Sequence, residues 1–378
     1  MKVSSLQENL TRGLATVGRA VPVRSTLPQA SHVLLETDAG RLKLVATDLT
    51  IAVTCWIGAT VEEEGAITVP ARLLTDFVSS LPNDKIDLGV SGRGKQLHIE
   101  CARNEATIAG MDAADFPPVP SVADGLTLTL APETLRRAIT QVQFAAATDD
   151  TRPVLTGIHT LAEGDTLTLA AADGFRLAVH HLPLDQEVAE KVEVIIPARA
   201  LREVERLIGE QSDPVEVSIN AARSQIMFRM PTVELVATLI QGTFPNYSQL
   251  IPASFNTRAY VDMKQFLQET RIAAIFARDG AGIVRIQMDP VGDGEQAGKL
   301  TISARAEEIG DHRGEMDVKL EGEASKIAFN SRYLQDVLSV LDAQQVMLET
   351  TSASSPGVIR PVGDERYVHV VMPMFVQW

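Results

Sequence analysis

The sequence predicts an α+β protein made of three repeated domains, each with two helices packed on antiparallel sheets. Three observations carry this. One pattern recurs: Ile67–Ser91, Val194–Ile219 and Ile327–Thr351 each read as an apolar strand, a breaker (Pro70, Pro197, Asn330), an Ala/Ser-Arg pair, a short amphipathic helix, a turn and a further strand. The breakers lie 127 and 133 residues apart, so a 378-residue chain holds three units of ordinary domain size. Hydrophobic residues make up 45% of the chain but aromatic ones only 4%, so aliphatic side chains must fill three modest cores.

Each unit opens on a helix, and the spacing predicts these over roughly residues 6–21, 132–147 and 263–277. Leu6, Leu10, Leu14 and Val17 form one apolar stripe, Leu135, Ile139 and Val142 a second, and Phe266 and Leu267 begin the third. The other faces carry Arg12 and Arg19, Arg136 and Arg137, and Lys264 and Arg271. The second helices start near Ala71, Ala198 and Ser331 and lead with Arg72, Arg199 and Arg332. Pro70 and Pro197 suit such a start, because a proline there gives up no intrahelical hydrogen bond. Between the helices, RLKLVA (41–46), TLTLAA (166–171) and KLTISA (299–304) alternate with period two, the pattern of half-buried antiparallel strands. The first two run into turns at Thr47-Asp48-Leu49 and Ala172-Asp173-Gly174; the third unit has Arg305-Ala306-Glu307 and has drifted. Polar stretches after Phe116-Pro117-Pro118 and Phe244-Pro245 set the expected domains at 1–124, 125–255 and 256–378.

Composition excludes several classes. MKVSSLQENL lacks the basic and apolar regions of a signal peptide, and no run nears the ~18 apolar residues of a membrane span, so the expected location is cytoplasmic. Cys55 and Cys101 are isolated and read as small buried apolar residues rather than a disulfide. The net charge of −15 argues against nucleic acid only as an average. Acidic residues crowd predicted loops (Glu62–Glu64, Asp185–Glu190, Asp293–Glu295, Glu307-Glu308), whereas arginines recur on predicted helices. The seven histidines show no HExxH or other metal-ligand spacing, and the adjacent His180-His181 would point to opposite faces of a strand. Ser91-Gly92-Arg93-Gly94-Lys95 lacks P-loop spacing and reads as a hairpin turn. No catalytic residue, metal or cofactor is expected.

Antiparallel sheets with helices on one side leave exposed edges. Pairing edge strands from unit to unit makes an arc, and two arcs joined head-to-tail through a two-fold axis close a ring as a homodimer. The helices would line the hole and the acidic loops would face outward.

The chain resembles the bacterial sliding clamp family, the beta subunit of replicative DNA polymerase III, over essentially its whole length. The resemblance rests on the order of Arg24-Ser25-Thr26-Leu27-Pro28, Ala114-Asp115-Phe116-Pro117, Thr151–Gly157, Asp173–Val179, Phe244-Pro245-Asn246-Tyr247 and Tyr367–Met374. It implies three clamp domains in a homodimeric ring that encircles duplex DNA without sequence specificity. It implies loading by an ATP-driven clamp loader, and tethering of replicative and repair polymerases that carry clamp-binding peptide motifs. A sliding tether holds phosphates and ignores base edges. The candidates are Arg12, Arg19, Arg24, Arg72, Arg136, Arg137, Arg152 and Arg199, with Lys264, Arg271 and Arg332 beside them.

The resemblance further implies a hydrophobic partner-peptide groove at Leu155, Ala172, Gly174, Phe175, Arg176, Leu177, Pro245, Gln249, Leu250, Val370, Met372, Pro373, Met374 and Phe375. Read bare, Leu155, Leu177 and Val370 are equally core residues. Phe175 stands where the family often has a polar ring, and the tail Phe375-Val376-Gln377-Trp378 either lines the groove, occupies it or frays. The implied dimer seam joins Thr107 and Ile108 on a strand to Ile272, Ile275 and Phe276 on a helix; Ala106 buries less area than the large residue expected there. The rival readings are an enzyme and a non-catalytic adaptor with the same repeats that does not encircle DNA.

Overall fold

The structure is a computed structural model that describes residues 1–22, 27–90, 95–209, 211–278, 281–292, 296–306 and 310–378. The expectations on Arg24, the Ser91–Gly94 turn, Asp293–Glu295 and Glu307-Glu308 lie outside the described residues. Six α-helices and long antiparallel strands make up the described fold, and they gather into two compact units. The first comprises 1–136 with 199–239, the second 137–198 with 240–378.

In the first unit, a five-stranded sheet runs in the order β5 (Thr60–Glu63), β1 (Lys2–Leu6), β7 (Lys85–Val90), β8 (Gln96–Cys101), β9 (Asn104–Ala109). An eight-stranded sheet runs β10 (Gly125–Leu130), β13 (Val215–Asn220), β14 (Gln225–Arg229), β15 (Val233–Thr238), β4 (Ile51–Gly58), β3 (Arg41–Thr47), β2 (His32–Asp38), β6 (Ala66–Pro70). Helices α1 (Gln7–Val17), α2 (Ala71–Ser80) and α4 (Ala198–Ile208) bury apolar stripes that include Leu10, Leu14, Leu74, Val78, Leu201 and Val204. Helix α3 (Pro132–Gln143) carries the chain into the second unit.

The second unit holds a ten-stranded sheet: β11 (Gly157–Ala172), β12 (Arg176–Pro197), β23 (Tyr367–Val371), β22 (Gly357–Pro361), β21 (Gln345–Thr350), β16 (Thr257–Asp262), β19 (Gly310–Gly322), β18 (Ala297–Ala306), β17 (Ile283–Pro290), β20 (Ser325–Asn330). Helices α5 (Met263–Ala277) and α6 (Ser331–Val340) belong to it. The helix starts at Ala71, Ala198 and Ser331 fall where the breakers predict them, and Asn330 caps α6 by accepting the Arg332 amide. The first helix is shorter than the expected 6–21: Leu6 ends β1 and is exposed, so it leaves the apolar stripe, and Gly18-Arg19-Ala20 tightens into a 3-10 turn.

Three antiparallel meanders recur: β7-β8-β9, β13-β14-β15 and β21-β22-β23. The last strand of two of them pairs with the strand that follows a predicted turn. β15 joins β4 at Val233↔Cys55 through Ala237↔Ile51, and β23 joins β12 at Val371↔Arg176 through Tyr367↔His180. Both turns are closed by an aspartate. Asp48 accepts the amides of Thr50 and Ile51, and Asp173 those of Phe175 and Arg176. The residue after each aspartate has positive φ, +93° at Gly174 and +74° at Leu49, so the first repeat accepts a strained leucine where the second has glycine. The last strand of the remaining meander, β9, is a sheet edge.

Candidate functional site

Expected groove residues gather in the second unit around the Asp173 turn and the end of β23, at two depths. Leu155, Ala172, Leu177 and Val370 are buried in one apolar cluster with Phe244 and Val358, against which Tyr247 and Ile251 pack. The bare core reading therefore describes these four, which form a floor. Phe175 (57% exposed), Leu250, Met372 and Phe375 (88% exposed) stand out of the surface, and Gly174, Pro245 and Gln249 are exposed beside them. Pro373 and Met374 are half-buried. The strand pairing explains the proximity: Leu177 lies opposite Val370, and the Met372 amide donates to the Phe175 carbonyl at 2.8 Å.

Arg176 organises the turn and has little exposed surface. Its Nε donates to Asp173 at 3.0 Å, Nη1 to Asp336 at 2.6 Å and Nη2 to the Phe144 carbonyl at 2.6 Å. The guanidinium lies over the rings of Tyr333 (4.6 Å) and Phe144 (5.3 Å), and Phe175 stacks on Tyr333 with centroids 6.5 Å apart. Arg152 Nη2 donates to the Asp173 carbonyl, and a side chain at Gly174 would meet the Arg152 guanidinium at 2.8 Å. Tyr333 and Asp336 were missed by sequence reasoning. The available signal was that Arg332 alone of the three helix-start arginines precedes an aromatic residue.

Behind this turn, two imidazoles are buried in the β12–β23 pair. His180 Nδ1 bonds Gln141 at 2.8 Å and His369 Nδ1 faces the Tyr367 hydroxyl at 3.4 Å, while neither Nε2 atom has a partner among the described residues. Burial pulls their pKa values down, to about 4 for His180 and about 3 for His369. His181 points to the other face, as the alternation predicts. The tail passes onto β20: Met374 N–H donates to the Ala328 carbonyl, Arg285 to the Gln377 carbonyl, and Lys326 lies 5.8 Å from the Trp378 ring. Trp378 thus packs beside Lys326 with about half of its surface exposed.

The expected dimer residues lie on an open edge and a helix. Thr107 is exposed and Ile108 buried on β9. Ile272, Ile275 and Phe276 are on α5; Ile275 is 64% exposed and Phe276 stacks on His312 of β19 at 5.7 Å. Along β19, Gly310–Met316 pairs only with β18 among the described residues, so its other edge is open. Repeat position adds residues the sequence reading missed. Three beyond the breakers stand Leu73, Ala200 and Tyr333; seven beyond stand Phe77, Val204 and Val337. Ala200, Val204 and Val337 are buried, whereas Leu73 is 53% exposed and Phe77 is half-buried.

Of the expected DNA-contacting cations, Arg12, Arg19, Arg72, Arg136 and Arg199 belong to the first unit, and Arg137 and Arg152 to the second. Arg136 pairs with Glu133, Arg19 reaches Glu203 at 4.0 Å, and Arg199 pairs with Asp48. Arg12, Arg72, Lys264, Arg271 and Arg332 are exposed and have no ion pair among the described residues. Arg137 is half-buried. Cys55 and Cys101 are buried free thiols, and burial pushes Cys55 up to about 11. Among the described residues, one group of potential metal ligands converges: His98, Glu100 and Glu105.

Comparison with known proteins adds a family context. Residues 1–120, 129–246 and 248–375 match the N-terminal, central and C-terminal domain families of the DNA polymerase III beta subunit. A beta sliding clamp of Synechocystis sp. is 34% identical, with 99% of each chain covered. The crystal structure of a DNA polymerase sliding clamp from Bacillus subtilis superposes with a TM-score of 0.94 at 26% identity, covering 100% of each chain. A clamp from Pseudomonas aeruginosa bound to griselimycin superposes at 0.91 with 30% identity, again over 100% of each chain.

Proposed function

The chain belongs to the DNA polymerase III beta subunit family, the beta sliding clamps, and on that premise we propose how its own residues build the seam, the hole and the groove. The protein is a DNA polymerase processivity factor, a ring-forming homodimer that encircles duplex DNA, is set there by a clamp loader and tethers polymerases. It is an accessory subunit and carries out no chemistry of its own. We place it in the cytoplasm, with the DNA it encircles; no described helix is long and apolar enough to cross a membrane. The proposed domains are 1–124, 125–255 and 256–378.

The observation that carries this reading is a joint made twice within the chain and left open once. β15 on β4 and β23 on β12 are paired; β9 and the first half of β19 are free edges. Pairing β9 of one copy with β19 of another would complete the series. The seam would then bury Leu73, Phe77, Thr107 and Ile108 of one copy against Ile272, Ile275 and Phe276 of its partner. Ile275 supports this by position. It lies nine residues beyond Phe266 of its helix's apolar stripe, as Arg19 does beyond Leu10 and Phe144 beyond Leu135. Arg19 and Phe144 serve the two joints already made, through Glu203 and Arg176. The test is loading: with a clamp loader and ATP, the protein should co-elute with a nicked circular plasmid and be lost when the plasmid is linearised. Absence from the circle would favour the adaptor reading.

The groove reading rests on an apolar floor with an exposed apolar rim. A linear peptide with aliphatic or aromatic anchors fits such a surface, and Met372 and Met374 can adapt to varied partners. The unpaired cations Arg12, Arg72, Lys264, Arg271 and Arg332 would face DNA phosphates, and exposed acidic segments such as Glu62–Glu64 would discourage contact elsewhere.

A further inference from the structure

We propose that His98, Glu100 and Glu105 form a binding site for a divalent transition-metal ion of the zinc class, on the outward face of the β8–β9 ribbon. The inference goes beyond the clamp reading, although β9, which carries Glu105 and Thr107, is also the edge proposed for the seam. Leu97, Ile99 and Cys101 turn into the core, so His98 and Glu100 alternate outward, and register brings Glu105 directly opposite Glu100. His98 Nε2 lies 3.0 Å from the Glu100 carboxylate and 3.3 Å from that of Glu105, and the three ligand atoms fall within 4.8 Å of one another. His98 Nδ1 faces the Thr107 hydroxyl at 3.3 Å. An Nδ1–H that donates to Thr107 presents the Nε2 lone pair to the carboxylates, the tautomer a metal ligand needs.

Charge gives a second, independent argument. Like charges directly across a ladder are unfavourable, yet Asp87, Glu100 and Glu105 stand in one row over three strands. Lys85 pairs with Asp87, but among the described residues neither Glu100 nor Glu105 has a lysine or arginine partner. Among the described residues, His98 alone stands within ion-pair distance of both carboxylates, with Lys2 and Lys85 lining the same surface hollow. One imidazole nitrogen and two carboxylate oxygens match a three-ligand zinc site with its fourth position open to water.

Isothermal titration of the full-length protein with zinc chloride, in chelator-free buffer containing magnesium, tests the proposal. The expected result is one saturable site per chain, absent in His98→Ala and at least tenfold weaker in Glu105→Gln. Urea unfolding midpoints of both variants should match the parent, because the replaced side chains face solvent. Absence of saturable zinc binding, or binding by His98→Ala equal to the parent, would overturn it, the latter by assigning the zinc to another group.

Discussion

Arg176 holds the Asp173 turn together beneath the proposed groove rim. Its guanidinium satisfies two carboxylates and one carbonyl while lying over two rings, a fit that uses the planar fork of arginine. Lysine would keep the charge but lose the parallel donors and the stacking. Arg176→Lys should therefore lower stability by about 2 kcal/mol and weaken peptide binding by distorting Phe175 and Tyr333. Urea unfolding and fluorescence anisotropy with a labelled clamp-binding peptide read the two effects. Unchanged anisotropy would mean that the groove does not depend on this turn. The buried imidazoles lead to a pH prediction. His180 titrates near 6.5 when unfolded and about 4 when folded, so between these values the unfolded chain binds more protons. Stability is then complete above about pH 6.5 and falls as pH drops toward 4, by about 3 kcal/mol from His180 alone. His369 adds a loss of the same sign. His180→Asn, which does not titrate, should narrow the gap between urea midpoints measured at pH 7.5 and pH 5.

At the scale of elements, the weight falls on helix α2 and strand β9. Leu73 is exposed where the corresponding Ala200 is buried, and the exposed residue is the larger one. Leu73→Glu would set a charge in the proposed seam, and Ile275→Ala with Phe276→Ala would remove apolar area from its other side. Either change should shift sedimentation velocity profiles toward monomer; a dimer of unaltered strength in both would move the seam elsewhere. The tail makes the opposite kind of prediction. Trp378 packs beside Lys326 on β20, so deleting Gln377 and Trp378 should leave peptide affinity within about twofold. These elements also mark how far the sequence could be read. The starts of the second helices were legible because a breaker followed by Ala/Ser-Arg recurs three times. The length of β11 was not, because Gly164 and its flanking register shifts interrupt the alternation beyond Thr166–Ala171. The proposed groove rim rests on an ordered set of short motifs. Tyr333 and Asp336 were not legible, since only folding brings them to Arg176, more than 150 residues away. His98, Glu100 and Glu105 escaped because a cross-strand ligand is invisible until the register is known.

For the whole molecule, the decisive quantity is the difference between holding DNA by charge and holding it by topology. The net charge is −15, so the protein as a whole repels DNA, and exposed helix-borne arginines must supply any local attraction. Counterion release makes that attraction steeply dependent on salt. A closed ring around a closed circle has no such dependence, because departure requires a seam to open rather than phosphate contacts to break. Arg12→Glu combined with Arg72→Glu should therefore slow loading and flatten the salt dependence of initial association. The half-life of rings already loaded on a nicked circle should stay close to that of the parent, even at 0.5 M salt, roughly where the Debye length has shrunk to a few ångströms. Gel filtration of loaded complexes, with linearised plasmid as the reference for free sliding, separates the two quantities. If salt released the parent from circles as readily as from linear DNA, the linkage would be electrostatic and the ring would not be closed. If the double variant left circles much faster than the parent, those arginines would serve the seam rather than the hole.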